Sequence, residues 1–504
     1  MSKIQEASEK EVYYTEDVRQ QTSSTSSTTE ETDRKGGDVV NIQNNNGTTT
    51  KSYENTPEER AYVRKLNKLI YPLIGMIIFV QFCDKASLSV APVLGLNKDL
   101  GLSGTEFSVL GSMFYLGIYF SFFSLGPPNL SVMGATGACQ TFSQMAACRF
   151  LLGLFEAAAM PTLYLITATL YRRTEQPMLF GFITLCNGVG AAIAFGFSHM
   201  NNARGIENWR WNHICFGSLT VLLGFFTWFF LVDRPDHPLL RLTETEQLIV
   251  KDRTKDNAVV TKKEFKYGQM WEALKELRFW LIMLSGLTVS LQNGGMLVFS
   301  TTFVLGLGFN GEQSLLLQIP SGLASALGVF VAVLLAHKTK QIIWSSMFML
   351  CIGMIGLIIL CAIPEGEVKL LGFYLSWAGT GSYALIVTLI GNNVKGYTKK
   401  IFYNSCIMAA YTVGNFVGPL MMTEHDVRNR SSIEKGGKRG IAPRYLGGVG
   451  GFLAGFFVAF CCLFIVRMLG ARVNRHRLEN KSDKETDVYL DKTDKEDDQF
   501  IFRL

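Results

Sequence analysis

The chain has 504 residues, 48% of them hydrophobic and 18% charged, whereas a soluble chain of this size carries about 25% charge. Its charge collects at the two ends and in short islands, separated by apolar runs of roughly 18 to 25 residues, the length that crosses a ~30 Å hydrocarbon core. The net charge of +6 therefore flanks apolar runs rather than forming a nucleic-acid face, and there is no phosphate loop, zinc-protease motif or nucleophile elbow to indicate an ATP-driven pump or a hydrolase.

Residues 1–60 are polar and rich in Ser, Thr and Asn, with no apolar stretch that could act as a signal peptide. They are expected to form a disordered cytosolic tail. Membrane spans are predicted at 69–94, 105–125, 129–148, 150–171, 179–199 and 212–232. The third is short or atypical, because Gly134, Gly137, Gln140, Ser143 and Gln144 interrupt it. A hydrophilic stretch, 233–277, follows as a cytosolic linker. Six further spans are predicted at 313–336, 342–363, 369–392, 401–422 and 446–469, preceded by one at 279–302. Residues 471–504 make a charged cytosolic tail, expected to be disordered from about Glu479.

The basic islands set the orientation. Arg64, Lys65, Lys68, Arg172, Arg173, Lys338, Lys340, Lys395, Lys399, Lys400 and Arg467 all fall on the side of both tails. That side is expected to be the cytosol. One loop, 425–444, dissents by carrying Lys and Arg on the other side. The ten cysteines show no paired spacing and read as small apolar residues, with no metal site and no disulfide framework. The whole is an all-α polytopic membrane protein of two pseudo-symmetric six-helix halves, 61–232 and 278–470. This is the outline of the major facilitator fold, whose substrate site lies between the halves.

Ionisable residues inside spans are costly and mark function. Asp84 lies 84 − 68 = 16 residues beyond Lys68, and Glu156 lies 172 − 156 = 16 residues before Arg172. At 1.5 Å per residue both sit about 24 Å from the cytosolic boundary. Arg149 precedes Glu156 by two turns on the same face. Asp84 and Lys85 point about 100° apart, so each needs a partner on another helix. We expect a cluster of Asp84, Lys85, Arg149 and Glu156 in which a carboxylate carries a proton and a cation meets an anionic substrate. Substrate contacts are also expected from Gln292 and Asn293, next to Gly294 and Gly295 in a span suited to a broken helix. Asn187, Asn415 and Tyr115 are further candidates, while His199 and His213 read as ordinary histidines near an interface.

Several strings resemble the anion:cation symporter branch of the major facilitator superfamily, and within it the fungal allantoate permease family. They include Phe82-Cys83-Asp84-Lys85-Ala86-Ser87-Leu88, Arg149-Phe150-Leu151-Leu152-Gly153-Leu154-Phe155-Glu156, Trp209-Arg210-Trp211, Leu242-Thr243-Glu244-Thr245-Glu246, Gly396-Tyr397-Thr398-Lys399-Lys400 and Gly414-Asn415-Phe416-Val417-Gly418-Pro419. The resemblance implies a symporter of small organic acids, with Asp84 and Glu156 in proton coupling, Lys85 on the substrate carboxylate and Asn415 near it. The chain departs from the family between Phe114 and Arg149, where a basic loop and a full third span are shortened. The expected protein is a monomeric, proton-driven, cofactor-free symporter of the plasma membrane, with vacuole and endoplasmic reticulum as alternatives. A non-transporting nutrient sensor and a degenerate transporter on the same fold are the rival readings.

Overall fold

The computed structural model describes residues 40–43, 49–52, 56–121, 135–157, 162–163, 166, 170–171, 189–199, 203–232, 237–240, 242–256, 265–363, 368–422, 445–479, 493–497 and 499–504. Within the N-terminal stretch, β1 (Val40–Gln43) and β2 (Thr49–Ser52) pair antiparallel. Every other described element is helical: α1 (Pro57–Val90), α2 (Gly104–Ser121), α3 (Phe142–Glu156), α4 (Val189–Ser198) and α5 (Asn208–Phe230) precede two linker helices, α6 (Glu244–Asp256) and α7 (Tyr267–Lys275). The second half comprises α8 (Leu277–Gly306), α9 (Gly311–Leu316), α10 (Gln318–Thr339), α11 (Ile342–Ala362), α12 (Val368–Ser376), α13 (Gly379–Asn393), α14 (Tyr397–Leu420) and α15 (Leu446–Glu479). Among the described residues, seven helical segments are long and apolar enough to cross a membrane. On α5 the side chains of Leu222, Phe225, Phe226, Trp228 and Phe229 stand exposed, an apolar surface suited to contact with lipid.

Local chemistry sets the helix starts. Thr56 caps α1 by accepting from the Glu59 amide at 3.2 Å, and Pro57 occupies the first turn with Glu58 and Glu59. A proline needs no donor there, and the acids complement the helix dipole. As a result α1 begins twelve residues before the predicted span. Thr141 caps α3 in the same way, accepting from the Gln144 amide at 3.4 Å. The break predicted between 148 and 150 is therefore absent: polar residues 143–144 form the capped first turn of the helix that carries Arg149 and Glu156. Of the predicted third span, residues up to 134 and the Asn187 candidate lie outside the described residues.

Both α2 and α3 run toward the linker. Ser108, near the start of α2, meets Met422 at the far end, whereas Leu163, Ile166 and Leu170, beyond α3, pack with Val232 and Leu240 at the linker end. The two helices touch at glycines: a Cβ on Gly153 would lie 1.9 Å from the Phe114 carbonyl oxygen, and one on Gly117 would lie 2.0 Å from that of Phe150.

The halves close at the end away from the linker. Ser108 Oγ donates to the Met422 carbonyl at 3.1 Å and Ser112 Oγ to that of Phe416 at 2.7 Å. Gly111 faces Val298, and the Phe107 and Phe299 rings meet edge to face at 5.2 Å. At the linker end, Glu246 ties α6 to α1 through Lys65 at 3.2 Å. Burial would raise the Glu246 carboxyl, but the Thr243 amide and the Lys65 ammonium hold it below its ordinary range.

Candidate functional site

The buried charges sit below that closed end, where α1, α3 and α5 meet. Lys85 Nζ is 3.1 Å from Glu156 Oε1, so Glu156, placed at the depth of Asp84 by helix counting, meets the residue next to Asp84. Lys85 also lies over the Phe82 and Phe114 rings at 5.8 and 5.9 Å, a cation–π setting that holds an ammonium without neutralising it. The Lys85 side chain keeps 21% exposure against 9% for Glu156. The lysine is thus the member of the pair that a solute can reach.

Asp84 turns to a different neighbour. Its Oδ2 accepts from Thr220 Oγ1 of α5 at 3.4 Å. Among the described residues, Asp84 Oδ1 and Glu156 Oε2 have no hydrogen-bond donor. A buried acceptor without a donor is costly, and a proton satisfies it directly.

Arg149 is buried, within electrostatic reach of both Asp84 and Glu156. Its guanidinium donates to Ser87 Oγ at 3.4 Å and meets His213 Nε2 at 3.1 Å. His213 Nδ1 lies 2.9 Å from the Trp209 carbonyl oxygen, which can only accept. Nδ1 therefore carries the hydrogen, and Nε2 presents its lone pair to a guanidinium that can only donate. His213 is a neutral acceptor for Arg149. It is fully buried, which corrects its reading as an interface histidine: α5 starts beyond it, at Asn208, and turns its ring inward. Replacing His213 with Leu is expected to lower the melting temperature in detergent, because a hydrogen bond to a charged group contributes about 1.5–3 kcal/mol. The pH profile of uptake should stay where it is, and a shifted profile would assign His213 a proton-carrying role instead.

The facing wall comes from the second half. Gly414 and Gly418 of α14 sit against the Leu287 and Leu291 carbonyls of α8, where a Cβ would lie 2.3 and 2.2 Å from oxygen. This close crossing brings Asn293 to Asn415: Asn293 Nδ2 donates to Asn415 Oδ1 at 2.8 Å and to the Tyr411 hydroxyl at 3.3 Å. Asn415 Nδ2 in turn donates to the Tyr411 carbonyl at 2.7 Å. Tyr411 lies within electrostatic reach of Lys85, and Tyr115 within reach of Tyr411 and Glu156. Lys85, Glu156, Tyr115 and Tyr411 thus interact across the halves, with Asn293 and Asn415 bonded to Tyr411. Gln292 does not join them, because it points about 100° away from Asn293 and donates to Ser376 at 3.4 Å inside the second half.

The other shared strings prove to be clamps. Trp209 Nε1 donates to Asp99 at 3.0 Å, Arg210 NH2 pairs with the same carboxylate at 2.9 Å, and Arg210 NH1 reaches the Gly137 carbonyl at 3.1 Å. Thr398 and Lys399 fasten α14 to the linker: Thr398 Oγ1 accepts from the Lys266 amide at 3.0 Å, and the Lys399 amide donates to Gln269 at 3.1 Å.

The Major Facilitator Superfamily pattern matches residues 129–422. An uncharacterized transporter of Schizosaccharomyces pombe is 30% identical over 391 residues, spanning 73% of this chain and 76% of its own. Allantoate permease of Saccharomyces cerevisiae is 28% identical over 498 residues, spanning 90% of this chain and 88% of its own. A bacterial homologue of the lysosomal transporter Spinster, inward-facing and unoccupied, shares the fold with a TM-score of 0.56 at 16% identity, over 82% of this chain and 96% of that one. Two helical halves with charge buried between them and these likenesses define a multi-pass membrane transporter. The chain belongs to the major facilitator superfamily, among its fungal permeases.

Proposed function

We propose that the protein is a proton-coupled symporter of a small organic anion, working as a monomer in the plasma membrane with both termini in the cytosol. The observation that carries the reading is the Lys85 ammonium, paired with Glu156, partly exposed and within electrostatic reach of Tyr411 of the other half. A carboxylate that reaches Lys85 competes with Glu156 for one cation. Protonation of Glu156 removes the competitor, so the proton and the anion favour each other's binding and travel together. The likeness to allantoate permease, whose named substrate is a carboxylate, supports the charge of the cargo. With the linker end in the cytosol, closure at the far end makes this the inward-facing state of an alternating-access cycle.

The test is uptake of a panel of labelled small monocarboxylates, neutral amides and amines by cells expressing the protein. Concentrative uptake of carboxylates alone, stimulated by external acid and collapsed by a protonophore, is expected. Uptake indifferent to the protonophore would remove proton coupling, and preference for the neutral or cationic set would remove the anion.

A further inference from the structure

The last described residues, expected to be part of a solvated tail, pack against the linker end of the second half. Two asparagines hold their backbone. Asn474 of α15 brackets Phe502, donating to its carbonyl at 2.8 Å and accepting from its amide at 2.9 Å. Asn393 of α13 does the same for Arg503, at 2.8 and 2.6 Å. The Leu504 carbonyl accepts from the Ile342 amide at 3.0 Å, and the Phe502 ring lies beside the guanidiniums of Arg278 and Arg477 at 4.5 and 5.3 Å.

At the other end of the segment, Asp494 pairs with Arg278 at 2.7 Å and with the fully buried Lys399 at 2.8 Å. Lys399 also holds Glu272 and Glu276 at 2.8 and 2.5 Å, so its ammonium fills the middle of the three carboxylates. Against these three acids stand two cations, Lys399 and Arg278, for a local charge of 2 − 3 = −1. Thr493 is fully buried beside this group, its hydroxyl donating to Glu272 Oε2 at 3.1 Å and accepting from the Glu496 amide at 3.2 Å.

We propose that Thr493 is a phosphorylation site whose modification releases this docked tail. The sequence that follows it, Asp494-Lys495-Glu496-Asp497-Asp498, places acids one, three, four and five residues downstream. That pattern complements a serine/threonine kinase with a basic substrate groove. In the transfer, Thr493 Oγ bonds to the γ-phosphorus of ATP, the bond to the bridging oxygen breaks and ADP leaves, and the hydroxyl proton passes to the kinase base. The product carries about −1.5 to −2 charge where Glu272 and Asp494 already leave the cluster negative, on a side chain that is fully buried when docked. The buried hydroxyl is reachable only when the tail is off its seat, so the phosphate records an undocked tail and prevents its return. This rests on the linker end facing the cytosol, but the test does not, because both faces of a nanodisc are open.

The full-length protein in lipid nanodiscs is treated with Mg-ATP and an acidophilic kinase, sites are mapped by mass spectrometry, and amide exchange is followed over 499–504. Phosphate on Thr493 is expected, with exchange of the Phe502 and Arg503 amides accelerated at least about tenfold in the modified molecules. A variant loosened away from the acidic group, Asn474→Ala with Asn393→Ala, should be modified several-fold faster. Thr493→Val should keep its protected tail through the treatment, which separates this site from Ser482 in the similar string Ser482-Asp483-Lys484-Glu485. The proposal is overturned by phosphate confined to other hydroxyls, by equal rates in the wild type and the loosened variant, or by a phosphorylated Thr493 with unchanged protection.

Discussion

Replacing Lys85 with alanine is expected to abolish saturable carboxylate uptake while leaving a folded protein in the membrane. Removing one partner of a buried, hydrogen-bonded charge pair costs about 2–5 kcal/mol, which on the substrate side is a loss of roughly 30-fold or more in affinity. The same substitution leaves the buried Glu156 without its cation. Reduced abundance alone could therefore lower uptake. The double variant Lys85→Ala with Glu156→Gln removes that complication: it should recover abundance on a fluorescence-detected column and still take up nothing. Lys85→Arg is not a neutral exchange, because the planar guanidinium cannot occupy the same point between Phe82, Phe114 and Glu156. Saturable uptake in the double variant would show that Lys85 serves only to balance Glu156.

The second large effect is expected at Glu156 itself. Glu156→Gln resembles the protonated side chain and leaves Lys85 free for the substrate. Such a carrier should still exchange labelled for unlabelled substrate across a vesicle membrane. It should fail to concentrate it: at a one-unit pH gradient, the accumulation ratio should fall from about tenfold towards unity, since one unit is worth 1.36 kcal/mol per proton. The acid stimulation of uptake should flatten in parallel. If protonophore-sensitive accumulation persists, the coupling proton is carried elsewhere, and Asp84, with its own undonated oxygen, becomes the group to neutralise.

Much of this arrangement was legible in the sequence for a simple reason. Helix rise is constant, so counting from basic boundaries put Asp84 and Glu156 at one depth before any fold was known, and the cation that meets Glu156 is the residue next to Asp84. Counting gives depth but not azimuth. That is why Arg149, within electrostatic reach of both carboxylates, directs its hydrogen bonds to Ser87 and His213 instead, and why Gln292 parts company with Asn293. His213 was missed because its role depends on two acceptors and donors from other turns and helices, which no local pattern encodes. The misplaced break near 148 came from reading polar residues as an interruption when Thr141 made them a capped first turn. The tail was misread for a compositional reason. Its acids dominate any average, while the apolar end Phe500-Ile501-Phe502-Arg503-Leu504 is too short to alter it.

The balance of charge around Lys85 has an electrical consequence. In the proposed symporter, with both carboxylates ionised, Asp84 and Glu156 offset Lys85 and Arg149, so the unloaded site moves no net charge when the halves exchange exposure. A monocarboxylate accompanied by one proton adds zero to that sum. Neither half of such a cycle feels the transmembrane voltage, which otherwise contributes about 2.3 kcal/mol per charge per 100 mV. Under this arithmetic the chemical gradient of protons, and not the membrane potential, drives accumulation of a singly charged acid, while a doubly charged one would be held back by a negative cell interior.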